Sequence, residues 1–160
     1  MGERMPVPKE NAVIDAIDRD ILGALERDAR LSYKDISERV GLSANAVAER
    51  VRKLEESGAI RQFRAEIDPA ALGLALRALI EVKLESTTTA AQLEARAAST
   101  PEIVRIMITT GRYDAVLEVS VRDQQDLQRI IEALRADGFA RDTYSRIITT
   151  DQRFDIPKKK

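Results

Sequence analysis

The sequence has no cysteine and no histidine among its 160 residues. The first absence excludes a disulfide framework. Together they exclude Cys/His zinc sites, cysteine nucleophiles and any catalytic arrangement with imidazole as base. No apolar run approaches the roughly 18–20 residues needed to span a bilayer. Met1 to Glu10 carries Pro6 and Pro8 and no apolar core, so it does not read as a secretory signal. Residues 1–13 are expected to be a flexible leader, the compartment the cytoplasm, with no membrane partner. Excess charge of one sign is also lacking, with 26 Lys and Arg against 27 Asp and Glu. From Met1 to Asp68 the count is 12 against 14, a net of −2. If this half binds nucleic acid, it must segregate charge by face rather than carry it in bulk.

What is present is enough apolar residue for real cores, 44 %, and helical spacing from Asp15 to Ser57. Asp15 with Asp18 three residues on makes a carboxylate form of the capping box, followed by the stripe Ile17, Ile21, Leu22 and Leu25. Ser32 with Asp35 marks a second start, and Leu31 with Ile36 has the spacing of a hydrophobic staple. Ser43 marks a third, with Leu42 and Val47 at staple spacing; Val47, Val51 and Leu54 continue its buried stripe and Gly58 ends it. The connection Val40-Gly41-Leu42-Ser43 is short and contains glycine, as a helix-turn-helix requires. Ile60 to Ile67 reads as extended, a candidate wing or linker strand.

From Leu74 the pattern alternates. Leu76 to Leu84 puts Ala78, Ile80, Val82 and Leu84 on one strand face, and Ala90 to Ser99 reads as a helix. Val104 to Thr110 and Tyr113 to Val121 read as strands around a Gly111-Arg112 hairpin. Asp123 and Asp126 start a helix carrying Leu127, Ile130, Ile131 and Leu134, ended by Gly138, and Thr143 to Thr150 is a last strand. The order βαββαβ is the split-βαβ, ferredoxin-like arrangement. The expected class is α+β: a winged helix-turn-helix at 14–60, a linker strand or hinge at 61–73, a ferredoxin-like domain at 74–154 and a basic tail at 155–160. Both helices of that domain cover one sheet face. The other should carry Leu79, Met107, Val116 and either Ile147 or Ile148, a surface for a second copy.

The third helix is the candidate DNA reader. Opposite its buried stripe the sequence places Asn45, Ala46, Glu49, Arg50 and Lys53, with Arg52 at the flank. Asn45 is placed for base edges and Arg50 and Lys53 for phosphates. Glu49 can accept from a cytosine amino group or pair with Lys53. Ser43 at the helix start, and Ser32, Tyr33 and Lys34 at the start of the second helix, complete the candidate contacts with double-stranded DNA. The bland alternative is a three-helix unit with ordinary charged faces.

These residues resemble the Lrp/AsnC, or feast/famine, regulators. The resemblance lies in Ile14-Asp15-Ala16-Ile17-Asp18-Arg19-Asp20-Ile21-Leu22, in Asp28-Ala29-Arg30-Leu31-Ser32, and in Val40-Gly41-Leu42-Ser43 followed by Val47, Arg50-Val51, Leu54-Glu55 and Gly58-Ala59-Ile60. It continues in Asp68-Pro69-Ala70-Ala71-Leu72-Gly73 and in Thr110-Gly111-Arg112-Tyr113-Asp114, and runs from about Ile14 to Phe154. Many members have proline directly after the N-cap serine of the third helix, where this chain has Ala44. The resemblance implies a homodimer through the C-terminal (RAM/ACT-like) sheets, often an octamer, and DNA binding through the N-terminal domain. It also implies sensing of a small molecule, usually an amino acid, beside the Gly-x-Tyr-Asp turn. No other cofactor and no metal is expected.

For the effector, Asp114 is a candidate partner for an ammonium group, and the amides around Gly111 for a carboxylate. Thr109, Thr110 and Thr149 offer hydroxyls, Ile108 and Ile148 a side-chain wall, and Arg112 and Arg146 positive charge near Tyr113. The competing reading is a plain hairpin turn with Asp114 bonding local amides. Two other functions stay open on the residues alone: an amino-acid-binding regulatory subunit that acts on a protein partner, and a carboxylate enzyme, for which no paired-carboxylate motif exists.

Overall fold

The computed structural model describes residues 14–152; the expected leader and basic tail lie outside the described residues. The chain forms two compact units, one within residues 14–66 and one over Ile67–Asp151.

The first unit is three helices: α1 (Ala16–Arg27), α2 (Tyr33–Val40) and α3 (Ala44–Glu56). Their starts are set by side-chain caps. Asp15 accepts from the Asp18 N–H at 2.7 Å while Asp18 accepts from the Asp15 N–H at 3.2 Å. The Ser32 hydroxyl accepts from Asp35 N–H at 3.1 Å, and that of Ser43 from Ala46 N–H at 3.2 Å. Gly41 ends α2 at φ 71°, a left-handed conformation that glycine adopts without penalty, and so turns the chain straight into the Ser43 cap. Ile21, Ala24, Leu25, Ile36, Val47, Val51 and Leu54 form the core, with the staple residues Leu31 and Leu42 packed at its edge.

The wing does not form. Residues 61–68 contain no strand and are exposed, Phe63 by 45 % and Ile67 by 58 %. Their period-two pattern is a strand signal, but among the described residues this unit has no strand for them to pair with. A lone extended segment closes no ladder.

The second unit opens with a 3-10 turn at Pro69–Leu72, started by Asp68, whose carboxylate accepts from Ala70 N–H. It continues β1 (Leu76–Leu84), α4 (Ala90–Ala98), β2 (Ile103–Ile108), β3 (Ala115–Val121), α5 (Gln124–Arg135) and β4 (Ala140–Ile147). The sheet order is β2-β3-β1-β4, antiparallel throughout, which is the split-βαβ arrangement. Ala78, Ile80 and Val82 of β1 and Ala115, Leu117, Val119 and Val121 of β3 point to one face. There they meet Leu93 and Ala97 of α4 and Leu127, Ile130, Ile131 and Leu134 of α5.

Boundaries of three strands differ from the sequence reading. β2 runs Ile103–Ile108 rather than Val104 to Thr110, and β3 begins at Ala115 rather than Tyr113. β4 begins at Ala140 rather than Thr143 and ends at Ile147 rather than Thr150. Helix α5 stops at Arg135, one 3-10 turn carries the chain to Gly138, and pairing with Leu84 starts at Ala140. As an edge strand it is largely exposed, so hydrophobic alternation marks its ends poorly. The connection between β2 and β3 spans residues 109–114, wider than a two-residue hairpin; Thr109 N–H to the Asp114 carbonyl closes it at 2.9 Å.

Register defines the sheet face away from the helices. Leu79 stands opposite Glu118 on one side and Arg146 on the other; Glu81 stands opposite Val116 and Tyr144; Met107 stands opposite Val116. Leu79, Met107 and Val116 are therefore on this face. Ile147 pairs with Ala78 and so belongs to the helix side. Ile148, whose N–H donates to the Arg77 carbonyl, is the residue that falls on the open face. Charged pairs interleave with these apolar residues: Arg77–Glu118 at 2.6 Å and Arg146–Glu81 at 2.7 Å.

Candidate nucleic-acid interface and effector region

Helix α3 buries Val47, Val51 and Leu54 and turns its other side outward. At 3.6 residues per turn, Arg52 lies about 140° around the helix from Val47, and Arg50 only about 60°. The structure follows that geometry. Asn45, Glu49, Arg52 and Lys53 are exposed, while Arg50 is half-buried on the flank towards α1.

Arg50 has a different job from the one its position in the sequence suggests. Its Nη1 donates to Asp15 Oδ2 and Asp18 Oδ1, both at 2.7 Å. The other oxygen of each carboxylate serves the capping box of α1. One closed network thus ties the middle of α3 to the start of α1. The Asp18 N–H and then Arg50 hold the Asp15 carboxyl below its usual range, and the Asp18 and Asp15 carboxylates raise Arg50. Its Nη1 is thus spent on holding α3 to α1, and Arg50 stands on the flank rather than on the outward side with Asn45 and Arg52, where the sequence reading put it.

Arg52 is the outward arginine that sequence reasoning set at the flank. It is 55 % exposed and forked between Glu49 at 2.8 Å and Glu56 at 2.6 Å. Its placement was available from spacing alone, three residues after Glu49 and seven after Asn45. Glu49 pairs with Arg52 first; the hydrogen bond from Arg52 lowers its carboxyl, with Lys53 a weaker influence. Ala46 is half-buried beside Asn45. The hydroxyls of Ser32 and Ser43 are used as caps, and Ser32 also donates to Asp35 at 2.6 Å. Tyr33 and Lys34 remain exposed in the first turn of α2.

The effector candidates do not all come together within one chain. Thr109 to Asp114 form one loop. Gly111, at φ 115°, takes a backbone shape that L side chains rarely adopt. Thr109 Oγ1 donates to the Tyr113 carbonyl at 3.1 Å, and the Arg112 guanidinium lies 5.4 Å from the centre of the Tyr113 ring. Thr110 is exposed, as is Ile108, by 49 %. Asp114 lies beside Lys83, near the end of β1. Ile148 faces Arg77, six residues away along β1, or about 20 Å at 3.3 Å per residue. Thr149 continues beyond Ile148. Arg146 faces Leu79, pairs with Glu81 and lies 5.8 Å from the Tyr144 ring.

Asp114 is itself engaged. Its Oδ1 accepts from Lys83 Nζ at 2.9 Å and its Oδ2 from Leu84 N–H at 2.8 Å. The Lys83 ammonium, then the Leu84 amide, lower its carboxyl. An open cleft beside it is lined by Lys83, Leu84, Glu85, Ser86, Thr88 and Arg141. None of these is a site candidate in the sequence reading. The signal was the pairing of the end of β1 with the residues just before β3, which requires the register.

Residues 14–55 match the AsnC-type helix-turn-helix domain, and residues 77–151 match the Lrp/AsnC ligand binding domain. The chain is 38 % identical to the HTH-type transcriptional regulator AldR of Mycolicibacterium smegmatis, over 84 % of this chain and 81 % of that one. It belongs to the Lrp/AsnC family. It is 32 % identical to the HTH-type transcriptional regulator FL11 of Pyrococcus horikoshii, over 91 % of this chain and 97 % of that one. Among solved structures it resembles a transcriptional regulator from Neisseria meningitidis in complex with L-Met, with TM-score 0.80 and 26 % identity, covering 91 % of this chain and 97 % of that one.

Membership makes this Lrp/AsnC chain a DNA-binding transcriptional regulator with a ligand-binding domain. It sets aside the enzyme, and it gives the helix-turn-helix a use that a regulatory subunit acting on a protein partner would not have. Among the described residues no helix is long and apolar enough to cross a membrane.

Proposed function

We propose that this regulator works in the cytoplasm as a symmetric assembly, a dimer through the open sheet faces and an octamer made of four such dimers. In a dimer two α3 helices enter major grooves one helical turn apart or a multiple of it, with Asn45 and Arg52 towards base edges and Lys53, Lys34 and Tyr33 towards phosphates. The observation that carries the reading is the outward side of α3, where Asn45, Arg52 and Lys53 are exposed together beyond a fully buried Val47–Val51 stripe. Assembly is supported by Leu79, Met107, Val116 and Ile148 on a sheet face that no helix of this unit covers. It is also supported by the net −2 of the first 68 residues, since weakly attracted modules gain from being linked.

The effector class is a free amino acid, as in the Neisseria relative's complex with L-Met. It binds at the 109–114 loop, where the amides around Gly111 meet its carboxylate. The Asp114 carboxylate meets its ammonium group beside Lys83, so the ligand's charge competes with an internal ion pair. Residues of β4 in the expected set, Arg146, Ile148 and Thr149, come from a second copy in this reading, because one chain keeps Ile148 and Thr149 far from Asp114. Ligand changes promoter occupancy by binding one assembly more tightly than another.

The test is light scattering on the full chain beside Val116→Arg, together with thermal shift against a panel of amino acids. Arginine at 116 faces Glu81, so the fold tolerates it while the open face gains charge. The reading expects a wild-type dimer or larger, a folded monomeric variant, and a raised melting temperature with at least one amino acid. A monomeric wild type refutes the assembly, and no shift with any amino acid refutes the effector class.

A further inference from the structure

Asn45, Glu49, Arg52 and Glu56 follow one another at spacings of four, three and four, so they form a single line along the outward side of α3. All four are exposed. Arg52 stands inside this line, its Nη2 2.8 Å from Glu49 Oε2 and its Nη1 2.6 Å from Glu56 Oε1. Arg52 and Lys53 against Glu49 and Glu56 leave the outward face with no net charge. Such a face gains little from the phosphate backbone, whose attraction is independent of sequence. Two carboxylates facing a polyanion would oppose binding unless one of them finds a donor there.

The major groove has such a donor. Cytosine presents its N4 amino group, and its guanine partner presents the O6 and N7 acceptors on the same edge. A glutamate and an arginine held side by side offer an acceptor and a donor fork in matching order. Asn45, one turn earlier, has the chemistry for the N6 and N7 edge of adenine. Where the groove presents an acceptor such as thymine O4, the Glu49 carboxylate is left facing another acceptor, which is a penalty rather than a lost contact.

We propose that Glu49 and Arg52 form a preset pair that reads one G·C base pair in each half-site, that Asn45 reads an A·T pair one turn earlier on α3, and that Glu49 is the residue that sets discrimination. Glu56 holds the second guanidinium nitrogen and fixes the fork before DNA arrives, so less freedom is lost on binding. The proposal rests on the DNA-binding role of α3 and goes beyond it by naming the base pairs and the residue that rejects others.

The experiment uses the full chain, Glu49→Gln and Arg52→Ala, with circular dichroism confirming unchanged helix content in each. Each protein selects sites from a random-sequence duplex pool, and its affinity for unselected duplex is measured separately. The wild type should enrich a half-site with a fixed G·C pair. Glu49→Gln should lose about tenfold of the preference for cytosine at that pair, the scale of one good base contact. It should also bind unselected duplex several-fold more tightly, since each copy has lost a negative charge. Arg52→Ala should lose the guanine preference at the same pair. A Glu49→Gln protein that keeps the wild-type preference, or binds unselected duplex no more tightly, overturns the proposal alone. A wild type that enriches no site overturns the role of α3 as well.

Discussion

Replacing Ile36 with alanine should abolish DNA binding while leaving the C-terminal unit folded and assembled. Ile36 is fully buried, at 0 % exposure, in the core that α1, α2 and α3 share. Truncating such a residue to alanine costs about 2–5 kcal/mol, because the surroundings close only part of the cavity. Residues 14–66 number 53. Domains hold about 0.05–0.15 kcal/mol per residue, which puts the whole unit at about 3–8 kcal/mol. The substitution therefore removes from about a quarter to all of its stability. Ile36→Val, at about 0.5–1.5 kcal/mol, should leave the unit folded and serves as the control. The assay is a urea titration of the full chain with two signals, duplex-DNA anisotropy for the first unit and particle size for the second. The DNA signal should be lost at low or zero urea in Ile36→Ala, with the size transition unmoved. The two cores share no residue. If both signals fall together, or if DNA binding survives Ile36→Ala intact, the reasoning from separate cores is wrong.

Other outcomes follow from the ion pairs. Arg50→Ala should lower the melting point of the first unit and weaken DNA binding, yet leave the slope of log affinity against log salt unchanged. A phosphate contact by Arg50 in each of two copies would instead reduce that slope by about 1.8. Lys53→Ala should reduce it by about that amount, measured by anisotropy across a salt series. Asp114→Asn should narrow the stability difference between pH 7 and pH 3, read from urea midpoints. The folded carboxyl is lowered by Lys83 and by the Leu84 amide. Its stabilisation is thus present above the unfolded value of about 3.9 and is lost as pH falls through the lower folded value. Wild type and variant should converge at the acid end, by a modest amount because the pair is partly exposed.

What could be read from sequence was what is local. The caps at Asp15, Ser32 and Ser43, the staples and the Gly41 turn are signals confined to a few residues, and all stand in the structure. The partners of Arg50 lie 35 and 32 residues away, and no spacing rule joins them. The wing was inferred from alternation at Phe63 and Ile67, but alternation shows that a segment can be a strand and not that a partner exists. The β4 boundary slipped because an exposed edge strand has weak hydrophobic contrast. The effector candidates on β4 are grouped with Asp114 by side-chain chemistry, and only the register of β1 with both neighbours shows how far apart one chain holds them. Arg52 is the opposite case: helical geometry alone places it outward, about 140° around α3 from the buried Val47.

The central claim is that the outward residues of α3 bind duplex DNA at defined sites within a symmetric assembly. A genome-wide binding map in the host cell tests it most directly, run for the wild type and for a chain with Asn45→Ala, Arg52→Ala and Lys53→Ala together. The account predicts discrete peaks over paired, inverted half-sites spaced by whole helical turns, and their loss in the folded triple variant. Peaks that persist in the variant, or a wild type with none, would contradict it.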